Sequence, residues 1–217
     1  LEQATPGRAV TRATFDIHRG IPKVPVTIDI DVTRPGKKVT HLTGRLLGPE
    51  GESLLMVSAW AIRESDDGLP VQVPDVPPFP DPEDCPPLES PFGEWTSYLD
   101  AVDVRVVSGT PFQGGQGAVW VRQTVPLIEG EQADPANLLG LFGDLGSGIG
   151  AIESFTTLLG INTDLTVYAA RRPQGDWIGL ESMVISHGRG LGMTDSLIYD
   201  ASGFVGKANQ SMFFDRR

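Results

Sequence analysis

The sequence has little cysteine, little positive charge and no long hydrophobic run. Cys85 is the single cysteine among 217 residues, which excludes an intrachain disulfide framework and any zinc or iron–sulfur site built from several cysteines. The 28 acidic residues outnumber the 17 basic ones, and this net charge of −11 disfavours a nucleic-acid partner. No apolar run approaches the roughly 18 residues of a membrane span. We therefore expect a cytoplasmic protein that neither spans a membrane nor binds nucleic acid.

Common catalytic motifs are also scarce. Cys85 is a weak candidate nucleophile, because the acidic residues around it in 82–87 are expected to raise its thiol pKa. The glycines of Gly146-Ser147-Gly148 lie too close together for the nucleophile elbow of a serine hydrolase. No cluster of histidines or carboxylates has the spacing of metal ligands, so we expect neither a metal nor another cofactor.

The first 62 residues have the pattern of an antiparallel meander. β-Branched residues alternate with polar ones, and this alternation predicts strands over 12–17, 24–32, 39–47 and 54–62. The composition then changes abruptly. Prolines dominate residues 65–91 and favour an extended chain, so this stretch is predicted to be an interdomain linker.

The second half of the chain combines one helix with several strands. Asp134 followed by Pro135 is typical of a helix start, and apolar residues from Leu138 to Leu145 then cover most of the helix circumference. Such a helix is expected to be buried. Alternating patterns predict strands over 99–107, 118–125, 161–169, 177–186, 190–199 and 204–214. The prediction is an α+β unit.

Two segments recur at a distance of about 150 residues, roughly one domain length. Residues 44–51 resemble 195–203, and residues 14–22 resemble 163–168. The repeat predicts two copies of one unit, with the opening strand and most of the helix of the first copy lying upstream of Leu1. The predicted parts are the C-terminal portion of the first unit (1–68), a Pro-rich linker (69–92) and a complete second unit (93–217).

Several segments, in this order and spacing, are similar to a known family. They are Tyr98-Leu99-Asp100-Ala101-Val102, Gly143 to Ile149, Ile161 to Val167, Arg172 to Leu180, and Gly206-Lys207-Ala208-Asn209-Gln210. The chain resembles the double-hotdog acyl-CoA thioesterases of the thioesterase II type, in the form common in actinobacteria. The resemblance implies antiparallel sheets that each wrap a central helix, two units that bind acyl-CoA along their seam, and a homo-oligomer.

The resemblance also implies that a polar trio activates water without an acyl-enzyme. Its members map to Asp144 on the central helix, Asn162 at the start of the following strand and Gln210 on the last strand. The family has Thr where this chain has Asn162, so a one-residue slip would substitute Thr163. A slip of one residue reverses the sheet face, so only one of the two can face the site, and Asn162 is favoured.

The residues themselves leave alternatives open. Asp144 is an ionisable group in an apolar helix, and burial would raise its pKa as a general base requires, although it could instead cap a backbone group or pair with an arginine. Gly143 and Gly146 lower helix propensity, which indicates close approach of a ligand or strand, or a break in the helix. Backbone amides freed there could bind the thioester oxygen. Gln210 alternates with Asn209, so one of the two faces inward.

Basic residues near the predicted site are candidates for the CoA phosphates. Arg171 and Arg172 follow the strand that carries Asn162, and simple surface solvation is the alternative for both. Further candidates are Arg189, Lys207, Arg216 and Arg217.

The predicted function is hydrolysis of acyl-CoA to a fatty acid and CoA by water that Asp144, Asn162 and Gln210 activate. A hotdog hydratase is disfavoured, because that branch pairs its Asp with a His a few residues on, and no His follows Asp144 in the helix. A non-catalytic acyl-CoA or lipid-binding hotdog protein is the main alternative, since fold alone does not fix function.

Overall fold

Eleven strands form one antiparallel sheet in the described part of the computed structural model, which covers residues 1–65, 68–75, 77–91, 97–130 and 134–217. The strands are β1 (Ala9–Ile17), β2 (Thr27–Arg34), β3 (Val39–Leu47), β4 (Ser53–Ile62), β5 (Val102–Ser108), β6 (Gly117–Gln123), β7 (Leu158–Asn162), β8 (Asp164–Ala169), β9 (Trp177–Ser186), β10 (Leu191–Asp200) and β11 (Gly203–Arg216). Their order is β2-β3-β4-β1-β8-β11-β10-β9-β6-β5, and β7 pairs with β11 beside this path.

Helical segments are few. Two α-helices, α1 (Pro135–Gly143) and α2 (Gly146–Ile149), follow β6, and single 3₁₀ turns cover Glu2–Ala4, Pro82–Asp84 and Tyr98–Ala101. The start of α1 is as predicted, because the Asp134 side chain accepts a hydrogen bond from the Ala136 N–H and Pro135 is the first helical residue. None of the helices in the described ranges is long and apolar enough to cross a membrane.

Most predicted strands are observed within a few residues of the predicted bounds, and β3 and β9 match them fully. The strand predicted over 99–107 is shorter, because a 3₁₀ turn takes up its first residues. Ser97 and Asp100 form a capping box there: the Leu99 N–H donates to Ser97 Oγ, and the Ser97 N–H donates to Asp100 Oδ2 at 2.9 Å. These side-chain hydrogen bonds stabilise a turn in place of strand pairing, which the alternation of apolar residues does not indicate.

The core lies between the helices and the sheet. Phe142 and Ile149 from the helices are fully buried against strand residues such as Leu180 and Ile198. A smaller cluster around Leu42 and the alanines of β4 lies at the other end of the sheet. The two ends join where β1 pairs with β8, so the sheet is continuous across the halves of the sequence.

Part of the Pro-rich stretch packs against the second half of the sheet. Phe79 contacts Trp120 and Tyr199, and the Trp120 indole N–H donates to the Pro80 carbonyl at 2.8 Å. The Leu88 N–H donates to the Val104 carbonyl at 2.8 Å, so Leu88 forms a strand-like backbone hydrogen bond with β5. Prolines fit here because their missing N–H groups are not needed at a sheet edge.

Candidate active site

Asp144 lies at the break between α1 and α2. The helix predicted to continue through Leu145 ends at Gly143, and Asp144 is its C-terminal cap with right-handed helical torsions of −71° and −20°. The chain resumes helical structure at Gly146. Asp144 is an exposed residue at a helix junction, and the break in the helix that was one alternative for the surrounding glycines is observed.

Both predicted amides donate to the same oxygen of Asp144. Asn162 Nδ2 lies 2.7 Å from Asp144 Oδ1, and Gln210 Nε2 lies 2.8 Å from that oxygen and 3.3 Å from the Asp144 carbonyl oxygen. No described residue donates to Oδ2, and none of the ion pairs of the described residues includes Asp144. The two amides thus anchor the carboxylate through one of its oxygens.

A one-residue shift of strand register turns Asn162 toward Asp144. β8 pairs Val167 with Ala208, and continuing that register would place Thr163 opposite Met212. Instead β7 places Asn162 opposite Met212, on the same face as Gln210. Thr163, at the break, is exposed, and its N–H donates to the Ser211 carbonyl. The side chain of Asp164 accepts from the Ser211 N–H at 2.8 Å in place of a ladder bond.

Gln210 is held deep in the sheet. It is 2% exposed, and its Oε1 has no hydrogen-bond partner among the described residues. Thr194, directly opposite on β10, is fully buried, and its hydroxyl likewise lacks a partner among them. Buried polar atoms in native proteins are nearly always satisfied by protein or water. Gln210 Oε1 is thus a buried acceptor on the same amide group whose Nε2 contacts Asp144.

Burial raises the pKa of Asp144 above its ordinary value, although hydrogen bonds from Asn162 and Gln210 act in the opposite direction. Part of the residue is open to solvent, but the surrounding protein still disfavours the charged form. A carboxylate with neutral donors and a raised pKa can accept a proton at neutral pH more readily than one paired with a cation.

The predicted glycines bring the helices close to the sheet. A Cβ at Gly143 would lie 3.2 Å from both Ala208 on β11 and Val167 on β8. A Cβ at Gly146 would overlap Ser196 Oγ on β10. Close approach of strands, one of the alternatives considered for these glycines, explains both positions, and the break in the helix is observed as well. Neither glycine lines the depression that contains Asp144.

This depression has a volume of about 270 Å³ and includes Tyr98, a residue for which the sequence predicted no role. Burial, and to a lesser extent the nearby charge of Asp144, raises the pKa of Tyr98. Its hydroxyl therefore stays protonated and is a potential donor to a bound ligand. The sequence signal for this residue is its place at the start of the segment Tyr98 to Val102, one of the segments that resemble the family.

Arg171 and Arg172 line a different cavity, of about 280 Å³, which does not include Asp144. Arg171 makes structural contacts with the β10–β11 hairpin. It forms a two-bond ion pair with Asp200 and donates to the carbonyls of Gly203 and Phe204. Arg172 donates to the Arg8 carbonyl at 2.7 Å and pairs with Glu64. The structure therefore does not bring these two predicted CoA contacts together with the Asp144 cluster.

Solved structures similar to this one have the hotdog fold. The TesB protein of Mycobacterium avium subsp. paratuberculosis superposes with a TM-score of 0.71 at 15% identity, over 99% of this chain and 82% of that chain. The acyl-CoA thioesterase II TesB2 of Mycobacterium marinum gives 0.69 at 20% identity, over 98% and 82%. A hotdog-fold protein from Alicyclobacillus acidocaldarius gives 0.71 at 18% identity, over 95% and 79%. At these identities the likeness establishes the fold.

The sequence itself gives the family. No curated protein matches the chain by sequence. The family model of the acyl-CoA thioesterase C-terminal domain, however, matches residues 82–214, which is more than half of the chain and includes Asp144, Asn162 and Gln210. The match begins within the Pro-rich stretch that packs beside β5. The chain therefore belongs to the acyl-CoA thioesterase C-terminal domain family.

Proposed function

We propose that the protein hydrolyses acyl-CoA thioesters to a carboxylic acid and CoA, with Asp144 as the general base. The observation that carries the proposal is the asymmetric environment of the Asp144 carboxylate. Two neutral amides bind Oδ1, whereas Oδ2 has neither a hydrogen-bond donor nor an ion-pair partner among the described residues. The family match supplies the substrate class.

The reaction needs one water and one proton acceptor. Asp144 Oδ2 takes a proton as the water oxygen attacks the thioester carbonyl carbon, and the carbonyl oxygen becomes an oxyanion. The tetrahedral intermediate then collapses, the carbon–sulfur bond breaks, and the proton held by Asp144 passes to the CoA sulfur. The products are one carboxylic acid and one thiol, and the base returns to its starting state.

Asn162 and Gln210 position this water. Their amide N–H groups hold the carboxylate in one orientation, and Gln210 Oε1, which is buried without a described partner, is an acceptor for the second hydrogen of the water. Both partners of Asp144 are amides, and the histidines with described hydrogen bonds use them elsewhere: His18 with Ser53, and His41 with Thr33 and Ser58. The arrangement therefore favours hydrolysis over hydratase chemistry.

The same proposal includes two hotdog units, 1–68 and 93–217, joined by 69–92. Support comes from the pairing of β1 with β8, which joins two groups of antiparallel strands in one sheet, and from α1, which packs on the second group. Acyl-CoA would bind near the seam of the units, and a homo-oligomer is part of the proposal. Arg189 and Arg217 are better CoA candidates than Arg171 and Arg216, because Asp200 and Glu153 already pair with those two guanidinium groups. Lys207, also a candidate, lies 3.8 Å from Asp195.

The test is release of CoA thiol from straight-chain acyl-CoA esters of increasing length by the wild type and by Asp144→Asn. Asn keeps the size of the side chain and an oxygen to accept the two amide donors. The proposal predicts turnover by the wild type and a loss of about a hundredfold or more in the variant. Tight acyl-CoA binding by a wild type that releases no thiol would instead identify a non-catalytic binding protein.

A further inference from the structure

Two cavities share one wall beside Asp144. The depression that contains Asp144 adjoins a second cavity of about 210 Å³, and Phe112, Ser147 and Gly148 line both. Ser147 and Gly148 belong to α2, whereas Phe112 comes from the Gly-rich loop between β5 and β6. The Phe112 ring is thus the large apolar side chain at the boundary between the two spaces.

The second cavity is apolar and lies next to Asn162 and Gln210, the two amides that bind Asp144. Met212, which lines it, lies two residues after Gln210 on β11 and directly opposite Asn162, so all three share one face of the sheet. Phe214, Leu158 and Phe155 continue the lining. Glu153 is the one charged residue among the described residues that line it, and Arg216 pairs with it at 2.6 Å. An apolar chain attached to a carbonyl at Asp144 would find an apolar surface here.

The backbone holds Phe112 at this boundary. Its φ of 66° lies in the left-handed region, which is uncommon for a bulky residue and is found where the surroundings fix the chain. The Phe112 N–H donates to the Gly148 carbonyl at 2.8 Å, and the Gly115 N–H donates to the Ala151 carbonyl at 2.7 Å. A Cβ at Gly148 would overlap the ring of Phe112. The ring therefore fits against α2 only because residue 148 has no side chain.

We infer that Phe112 determines acyl-chain length, because its ring divides the Asp144 depression from the apolar cavity and limits how much of the chain can enter that cavity. The inference rests on the proposed function. A smaller side chain at 112 would join the two spaces and favour longer acyl groups, whereas a larger one would favour shorter groups.

The test compares kcat/KM for dodecanoyl-CoA with kcat/KM for butanoyl-CoA in the wild type, Phe112→Ala and Phe112→Trp. Burial of two further methylenes corresponds to about 1.6 kcal/mol, or about fifteenfold in kcat/KM. We expect the ratio to rise by about that factor in Phe112→Ala and to fall in Phe112→Trp. Phe112→Leu replaces the alanine variant if the latter does not fold.

Phe79→Ala is the matched control, because it removes a phenyl ring that packs on Trp120 and Tyr199 and does not line either cavity. Its ratio is expected to stay at the wild-type value. Burial of a single methylene changes kcat/KM by about fourfold. If the wild type hydrolyses both esters and the ratio changes by less than this in the Phe112 variants, the role of Phe112 is refuted. The proposed function would then still stand. No thiol release by the wild type refutes the proposed function itself.

Discussion

Two aspartates in this protein have opposite environments, although each accepts several hydrogen bonds. Asp200 is 3% exposed, accepts two bonds from Arg171, and accepts further bonds from the N–H groups of Gln174 and Ser202, each at 2.8 Å. Burial alone would raise the pKa of Asp200, but Arg171 and the two N–H groups hold it below its ordinary value. The donors to the Asp144 side chain within the described ranges are both neutral and both on one oxygen, and burial raises the pKa of Asp144.

The difference shows how one residue type serves structure or chemistry. A cation on both oxygens stabilises the ionised form of Asp200 and fixes the hairpin between β10 and β11, leaving little tendency to accept a proton. Neutral amides orient Asp144 without neutralising it, so it can gain and lose a proton during a reaction. The contrast lies in the partners, because burial acts in the same direction on the pKa of both carboxylates.

The largest expected effect is on catalysis at Asp144. Asp144→Asn is expected to lower kcat/KM by about a hundredfold or more, because it removes the base while keeping the contacts with Asn162 and Gln210. Its midpoint of thermal unfolding is expected to equal or exceed that of the wild type at neutral pH. Because the pKa of Asp144 is raised in the folded state, folding disfavours the ionised carboxylate. The free energy of unfolding of the wild type therefore falls as pH rises through that pKa. If Asp144→Asn kept the wild-type kcat/KM, the catalytic role that distinguishes Asp144 from Asp200 would be contradicted.

The second expected effect is on stability at Asp200. Asp200→Asn leaves Arg171 without its charged partner and is expected to reduce the free energy of unfolding by about 3 kcal/mol. Urea denaturation measures this loss. The exposed pair of Arg45 with Asp29 provides the control, because Asp29→Asn is expected to cost less than about 1 kcal/mol. Activity per folded molecule should change little in both variants, and a selective loss of kcat in Asp200→Asn would contradict a purely structural role.

The third expected effect is smaller and concerns the donors to Asp144. Asn162→Ala removes one charge-assisted hydrogen bond and is expected to lower kcat/KM about tenfold. Because that bond lowers the pKa of Asp144, its loss should also move the acid limb of the pH–rate profile to higher pH. Asn209→Ala is the control, since Asn209 bonds Asp195 on the other face of the sheet. If both substitutions lowered kcat/KM equally, the proposed role of Asn162 in positioning Asp144 would be contradicted.

Much of the fold could be predicted from the sequence, because strand alternation and the Asp134-Pro135 helix start are local signals. The strands β3 and β9 and the start of α1 are observed as predicted. The break of the helix at Asp144 was only one of two alternatives, because glycines that allow close packing and glycines that end a helix look the same in sequence. The packing of Phe79 on Trp120 likewise depends on distant contacts that composition does not reveal.

The candidate site was predicted in part. Asp144, Asn162 and Gln210 were identified from a resemblance, and the geometry brings them within hydrogen-bonding distance, while their catalytic roles remain a prediction. Strict alternation back from Leu165 and Val167 would have turned Thr163 inward. The register shift between β7 and β8 reverses this, and it depends on pairing with β11, where Asn162 lies opposite the distant Met212. Arg171 was predicted as a CoA contact because it is basic and follows the strand that carries Asn162. Its ion pair with Asp200, 29 residues further along the chain, could not be predicted from a local sequence pattern.

The most direct test of Asp144 as the base is the pH dependence of kcat/KM for acyl-CoA hydrolysis, measured on the wild type and Asp144→Asn together. The wild type should show an acid limb with its inflection above the ordinary aspartate value of about 4, because burial raises the pKa of Asp144 and the base acts only when ionised. That limb should be absent from the residual activity of the variant. The same inflection in both proteins would show that another group is the base.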